Sequence, residues 1–202
     1  MTTARDLLLL ALDGTAGRTA EQGDLSLALA GAEAIDLLGA GAVRLDGDRI
    51  VPAGERALPD RLLAEAAASL VGDAPFESLT DWLWRRGSGL AKGYRAVLES
   101  EGELVREPRR GLFARAGEPA AADTPARRRA RARRAAAEPV LAALLAAVVH
   151  GEGDEDAPDV TDDDSAAVLA AVNDAVVELA SERQRRAVDE AAFDNIWRGT
   201  GG

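Results

Sequence analysis

A run of arginines supplies the first chemistry to weigh. Thr124–Pro139 reads TPARRRARARRAAAEP, with six arginines between Arg127 and Arg134, in a chain whose formal net charge is −11. Guanidinium groups at this density suit phosphate: a nucleic-acid backbone, an anionic bilayer, or, with no ligand at all, the solvated face of a helix. Arg127, Arg128, Arg131 and Arg134 fall on one side of a helix, and Arg129 and Arg133 broaden that side. The acidic segment Glu152–Asp164 is a possible partner for them within the chain.

Other arrangements lack a member that their chemistry needs. LLLLALDGT resembles the start of a phosphoaspartyl enzyme, but the nucleophilic aspartate would sit at position 11, which is Ala11. Gly14–Thr19 has no Gly-Lys-Ser/Thr to cradle a phosphate, and Gly87-Ser88-Gly89 follows Arg86 where a nucleophile elbow needs glycine. Read as a calcium loop from Asp154, the acidic segment has Asp159 in place of the turn glycine and Ser165 in place of the bidentate glutamate. His150 is the only histidine and there is no cysteine, so a zinc cluster, a disulfide and thiol chemistry are excluded. No nucleophile–base pair stands out. The expectation is a protein without catalysis and without a cofactor.

The elements that position these residues are mostly helical. Aromatic residues make up only 3% of the chain and hydrophobic residues 47%, so the core is built from Leu, Ala and Val. Helices are predicted over Ala4–Leu12, Asp24–Leu38, Pro59–Val71, Phe76–Arg86 and Leu90–Ser100. Trp82 and Trp84, two apart on one helix, face different ways and are read as core. Asp46-Gly47 inside Val43–Val51 signals a β-hairpin. A second hairpin is predicted over Glu103–Ala116, turning at Pro108–Gly111, followed by a linker at Glu118–Pro125. Thr124 as N-cap and Pro125 at the first position then open the arginine helix. Pro139–His150 reads as the central buried helix, Ala166–Arg186 as an amphipathic one, and a short last helix runs through Ile196 and Trp197. The expected fold is mainly α: one domain over 1–202, a helix bundle with two short β-hairpins, an acidic loop at 151–164 and a flexible tail at 198–202. The apolar run near the N-terminus is too short to span a bilayer, and a cytoplasmic protein is expected.

Four segments in order resemble the Golgi phosphoprotein 3 family, in its bacterial form: DLLLLALDGTAGR (6–18), LALAGAEAIDLLGAGAVRL (27–45), DWLWRRGSGLAKGYRAVLESEGELVRE (81–107) and GLFARAGEP (111–119). The resemblance covers about residues 4–190. It implies a helical fold around a central bundle with a protruding apolar hairpin. Eukaryotic members are peripheral membrane proteins that bind phosphatidylinositol 4-phosphate and act as adaptors for glycosyltransferases. Their headgroup pocket uses a tryptophan and an arginine around the second helix and two arginines at the start of the helix before the hairpin. Those positions fall on about Glu21, Ala30, Ser88 and Ala91, so none of the four is retained.

Nearby cations, Arg85, Arg86, Lys92 and Arg95, are the candidate headgroup residues that remain. Leu112 and Phe113 match the family's hairpin tip, as a contact for membrane or for a second copy in a homo-oligomer. The implied activity is non-enzymatic, peripheral binding to anionic or phosphoinositide headgroups at the inner face of a membrane. Two other readings stand beside it. AIDLLGAGAVRLDGDRIV and AVLESEGELVREPRRGLFAR each read like the recognition helix and wing of a DNA binder. A protein-interaction module without lipid affinity is the other.

Overall fold

Leu7–Leu10 put four leucines on consecutive helical positions. They point all round the helix, so the segment is stable only when enclosed. The computed structural model describes residues 2–13, 20–54, 56–106, 119–121, 123–148 and 160–199, with backbone alone at 105, 106, 119–121 and 191–199. In it α1 (Thr3–Leu12) is buried from Thr3 to Ala11. Thr2 caps it, its hydroxyl accepting the Arg5 N–H at 3.4 Å. The second central helix is α2 (Gln22–Gly39), buried from Asp24 to Ala34. It touches α1, the strand after it and five further helices described below.

The first hairpin forms where expected. β1 (Val43–Asp46) and β2 (Arg49–Pro52) pair antiparallel with Asp46 opposite Arg49. Gly47 takes the positive φ of +61° that the tight turn requires. The hairpin holds the chain that enters the next helices: Ile50 N–H donates to the Glu77 carbonyl at 3.0 Å and Leu79 N–H to the Asp48 carbonyl at 2.7 Å. α3 (Arg61–Ala68) lies between, with Asp60 as its cap. Asp60 also pairs with the buried Arg5 at 2.5 Å, which ties α3 to α1.

α4 (Leu79–Gly87) starts on Ser78, whose hydroxyl accepts the Asp81 N–H at 3.0 Å. It buries Trp82 completely, and the indole N–H donates to the Ala30 carbonyl of α2 at 3.4 Å. Trp84 is only half-buried, so the two tryptophans separate as their spacing requires. Ser88 and Gly89, the latter at φ +71°, turn the chain into α5 (Leu90–Ser100).

The second hairpin is wider than predicted. β3 (Leu104–Arg106) pairs with β4 (Pro119–Ala121), Arg106 opposite Pro119. The paired strand therefore lies in the segment read as a linker, and the predicted turn at Pro108–Gly111 falls within an intervening stretch of residues 107–118. Proline at the strand's first residue costs no ladder hydrogen bond there.

Thr124 and Pro125 open α6 (Pro125–Ala135) as predicted, the Thr124 hydroxyl accepting the Arg127 N–H at 3.2 Å. α7 (Pro139–Val148) buries Leu141, Leu144, Leu145 and Val148 but leaves Ala146 exposed. The central positions thus belong to α1 and α2, whose apolar residues are longer and more numerous than the alanines of α7. α8 runs unbroken from Asp163 to Gly199, where two helices were predicted. No Gly or Pro stands at the expected break after Arg186, only a loss of apolar spacing. Its first half packs on α2 at Gly31, where a Cβ would lie 2.3 Å from Val172 Cγ2. The two two-stranded sheets and eight helices among the described residues make the fold mainly α.

Candidate functional site

The arginines of α6 divide into two sets. Arg127 and Arg131 both reach Asp13 at the end of α1, at 2.6 and 2.9 Å. Arg133 reaches Asp6 in the first turn of α1 at 2.6 Å and Glu138 at 3.1 Å. A carboxylate beyond the C-terminal end of a helix meets the negative end of its dipole, so Asp13 needs these cations. The remaining three, Arg128, Arg129 and Arg134, are exposed, Arg128 with a loose contact to Asp123 at 3.5 Å. The described ion pairs of the run therefore go to α1, the α6–α7 turn and Asp123. Most of the acidic loop (149–159), with His150, lies outside the described residues.

β4 and α6 both pack on α1, and β3 packs on α5. The root of the second hairpin and the arginine helix thus share one support. Between Arg106 and Arg134 the sequence holds ten arginines against three carboxylates, a net of +7 within a chain of −11. Leu112 and Phe113 belong to residues 107–118 and lie outside the described residues.

The four candidate headgroup cations do not converge. Arg85 forks onto Glu77, both prongs at 2.7 Å, donates to the Ser69 carbonyl at 3.0 Å, and lies 5.4 Å from the Trp82 ring centre. Arg86 turns inward and forks onto Glu33 of α2 at 2.7 and 2.8 Å. Glu33 also accepts the Tyr94 hydroxyl at 3.0 Å. Burial pushes the Glu33 carboxyl up, against the opposing pull of Arg86 and Tyr94, and burial together with the Glu33 charge pushes the Tyr94 phenol up. Lys92 is exposed in the first turn of α5, and Arg95 is half-buried a turn later.

Of the positions that the resemblance assigned to a pocket, one, Ser88, lines a cleft. A space of about 420 Å³ opens between the start of α2, the α4–α5 junction and α8, lined by Gln22, Ser26, Leu27, Trp84, Ser88 and Leu179 among others. Ser88 lines it, Glu21 directly precedes Gln22, and Ala91 N–H donates to Ser26 Oγ at 3.1 Å. Ala30 is fully buried and does not line it. Among the described residues no cation lines this cleft. Arg183 of α8, beside Gly23, holds Asp24 at 2.7 Å and Glu21 at 2.9 Å.

Sequence reasoning missed Glu33, Asp24 and Arg183. A single carboxylate inside the apolar run LALAGAEAI was the available signal, since a buried charge needs a partner. Its partner is 53 residues away, and nothing local names it. Among the described residues no cluster could hold a metal ion, and no helix is long and apolar enough to cross a membrane. A family model, Golgi phosphoprotein 3 (GPP34), matches residues 4–194. No curated protein matches the chain.

Proposed function

The chain belongs to the Golgi phosphoprotein 3 family, and from that membership we propose that it is a non-enzymatic, adaptor-type protein that binds anionic lipid surfaces reversibly from the cytoplasmic side. The observation that carries the reading is the basic segment: a net of +7 over 106–134, with the hairpin root and α6 on one support. Arg128 and Arg134 present charge, and Leu112 and Phe113 supply the apolar insertion. Each cation near an anionic surface contributes ~1 kcal/mol. Two of them with one inserted aromatic side chain give weak, reversible association.

The binding responds to surface charge more than to headgroup identity. Arg85 and Arg86 are occupied by Glu77 and Glu33, which leaves Lys92 and Arg95 as the headgroup cations on offer. The recognition-helix alternative has little to stand on at α2, which is buried along most of its length and has no face to enter a groove.

Co-sedimentation with vesicles tests the reading. Vesicles of phosphatidylcholine with ~30% phosphatidylglycerol should retain the protein at ~0.05 M salt and release it at ~0.5 M. Phe113→Asp should weaken retention without changing the fold, as read by circular dichroism. No retention on any anionic vesicle at low salt would sink the proposal, and a shift on duplex DNA under the same salt would favour the nucleic-acid reading.

A further inference from the structure

A second cavity, of about 660 Å³, lies between the ends of the first hairpin, the segment that follows it and α3. That volume is within the range of small-ligand sites. Ala42 and Pro52 line it from the hairpin, Leu58 from the connecting segment, and Ala64, Ala67 and Leu70 from α3 and the turn after it. The lining is aliphatic. Among the described residues it has no aromatic ring on which a planar ligand could stack. Gly54 also lines it, at φ +102°, with open space where a Cβ would be.

Arg56 is the only charged side chain among the described residues that line this space. It is exposed, and its Nε–H donates to the Gly41 carbonyl at 3.2 Å. That bond orients the guanidinium. Its terminal NH2 groups have no partner among the described residues and are left to bind an anion. The charges of α3 and its cap are committed elsewhere: Arg61 pairs with Glu65 at 3.3 Å, and Asp60 holds Arg5. The backbone offers a peptide little. Ala42 N–H donates to the Leu37 carbonyl and Ala53 N–H to the Ala42 carbonyl, each at 2.9 Å, and Pro52 has no N–H. The outer edge of β2 is taken by Glu77 and Leu79, so an added strand finds no ladder to join. What remains is an aliphatic cavity with one guanidinium. Its complement is an aliphatic chain that ends in a single carboxylate.

We propose that this cavity binds a free medium-chain fatty acid, its alkyl chain among Pro52, Leu58 and Leu70 and its carboxylate on Arg56. The site uses no residue of the basic hairpin and does not depend on the surface binding proposed for it.

Titration calorimetry of the full chain with octanoate and decanoate, both below their micelle concentrations, tests it. A single saturable site is expected, with decanoate roughly tenfold tighter than octanoate because it buries more methylenes. Decanol, which keeps the chain and loses the charge, should bind about tenfold more weakly than decanoate. Arg56→Gln, at an exposed position, should bring decanoate down to the affinity of decanol while leaving the unfolding midpoint of the free protein unchanged. Arg56→Lys should recover part of the loss. Ala68→Trp, at the exposed end of α3 where it lines the cavity, should block acid and alcohol alike. No saturable binding of either acid, equal affinity for decanoate and decanol, or undiminished binding in Arg56→Gln or Ala68→Trp would overturn the proposal. Tighter binding of a short peptide ending in leucine than of decanoate would assign a peptide C-terminus instead and overturn it too. Phe113→Asp should leave the decanoate titration unchanged; loss of binding there would move the acid to the hairpin. Failure at the vesicle surface and failure in the cavity are thus read separately.

Discussion

Arg86 forks onto Glu33 at 2.7 and 2.8 Å, with the Glu33 side chain fully buried and that of Arg86 17% exposed. This pair joins α4 to α2, and Tyr94 adds α5 to the same carboxylate. Arg86→Ala leaves a buried carboxylate without its cation, which costs about 3 to 5 kcal/mol. Arg86→Lys should recover only part, because an ammonium cannot present two parallel N–H bonds. Tyr94→Phe should cost about 1 kcal/mol. Urea midpoints at constant slope measure all three; wild-type stability in Arg86→Ala would show that the pair is dispensable.

Asp36 makes stability depend on acidity. Burial pushes its carboxyl up from 3.8 to about 6, opposed by hydrogen bonds from Thr3 and the Ala4 N–H and by the Arg133 charge. Between these two values the folded protein holds the proton and the unfolded chain does not. This group's contribution is therefore fully present below pH 4 and is lost as pH rises towards 6, at up to ~1.4 kcal/mol per pH unit. Asp36→Asn should remove that slope. The difference between the two proteins' unfolding free energies, followed across pH 4 to 7, is the measurement.

Gly31 marks the closest approach of α2 and α8. A Cβ there meets Val172 Cγ2 at 2.3 Å, so Gly31→Ala should destabilise by about 1 to 3 kcal/mol. Val172→Ala in the same chain should recover part of the loss. Gly93, in the middle of α5 with nothing within 4 Å of its Cβ position, should behave oppositely. Gly93→Ala should stabilise by about 0.5 to 1 kcal/mol. Thermal unfolding of the four proteins compares them.

Asp13 anchors the inner row of α6 through Arg127 and Arg131. Asp13→Asn should cost about 1 to 2 kcal/mol, since Arg131 is half-exposed and keeps its hydration. The same change releases positive charge on the helix that the lipid reading places at the surface. Retention on anionic vesicles should rise about two- to fivefold. Unchanged retention would separate this row from the binding surface.

Several parts of the fold were legible because their signals are local. Asp46-Gly47 gave the first hairpin, and Thr124-Pro125 gave the start of α6, each within three residues. The second hairpin misled because the strand that pairs, Pro119–Ala121, has no β-branched residue to announce it, whereas Pro108 and Gly111 are of turn-forming type. Pro139–Val148 looked central on composition alone, yet alanines bury little area, and the leucines of α1 and α2 won the interior. Of the candidate cations, Arg86 could not be read from its neighbourhood, since Glu33 lies a whole helix and hairpin earlier. The partners of Arg127 and Arg131 are equally remote: Arg131 reaches across 118 positions to Asp13.

α8 has one further consequence, which concerns the helix–coil balance. Its 37 residues extend about 55 Å, but the last of its described buried side chains is Val176. The packed half fixes the first turns against α2, so the unfavourable nucleation step is already met by tertiary contacts. Beyond Arg183 each residue only propagates, gaining one hydrogen bond for one ordered residue, with equilibrium constants near unity. The helix is then a graded structure, most populated at Leu179 and progressively less so outward. Amide exchange should follow the same gradient, with Val168–Val176 protected to near the global limit and Arg185–Glu190 exchanging orders of magnitude faster.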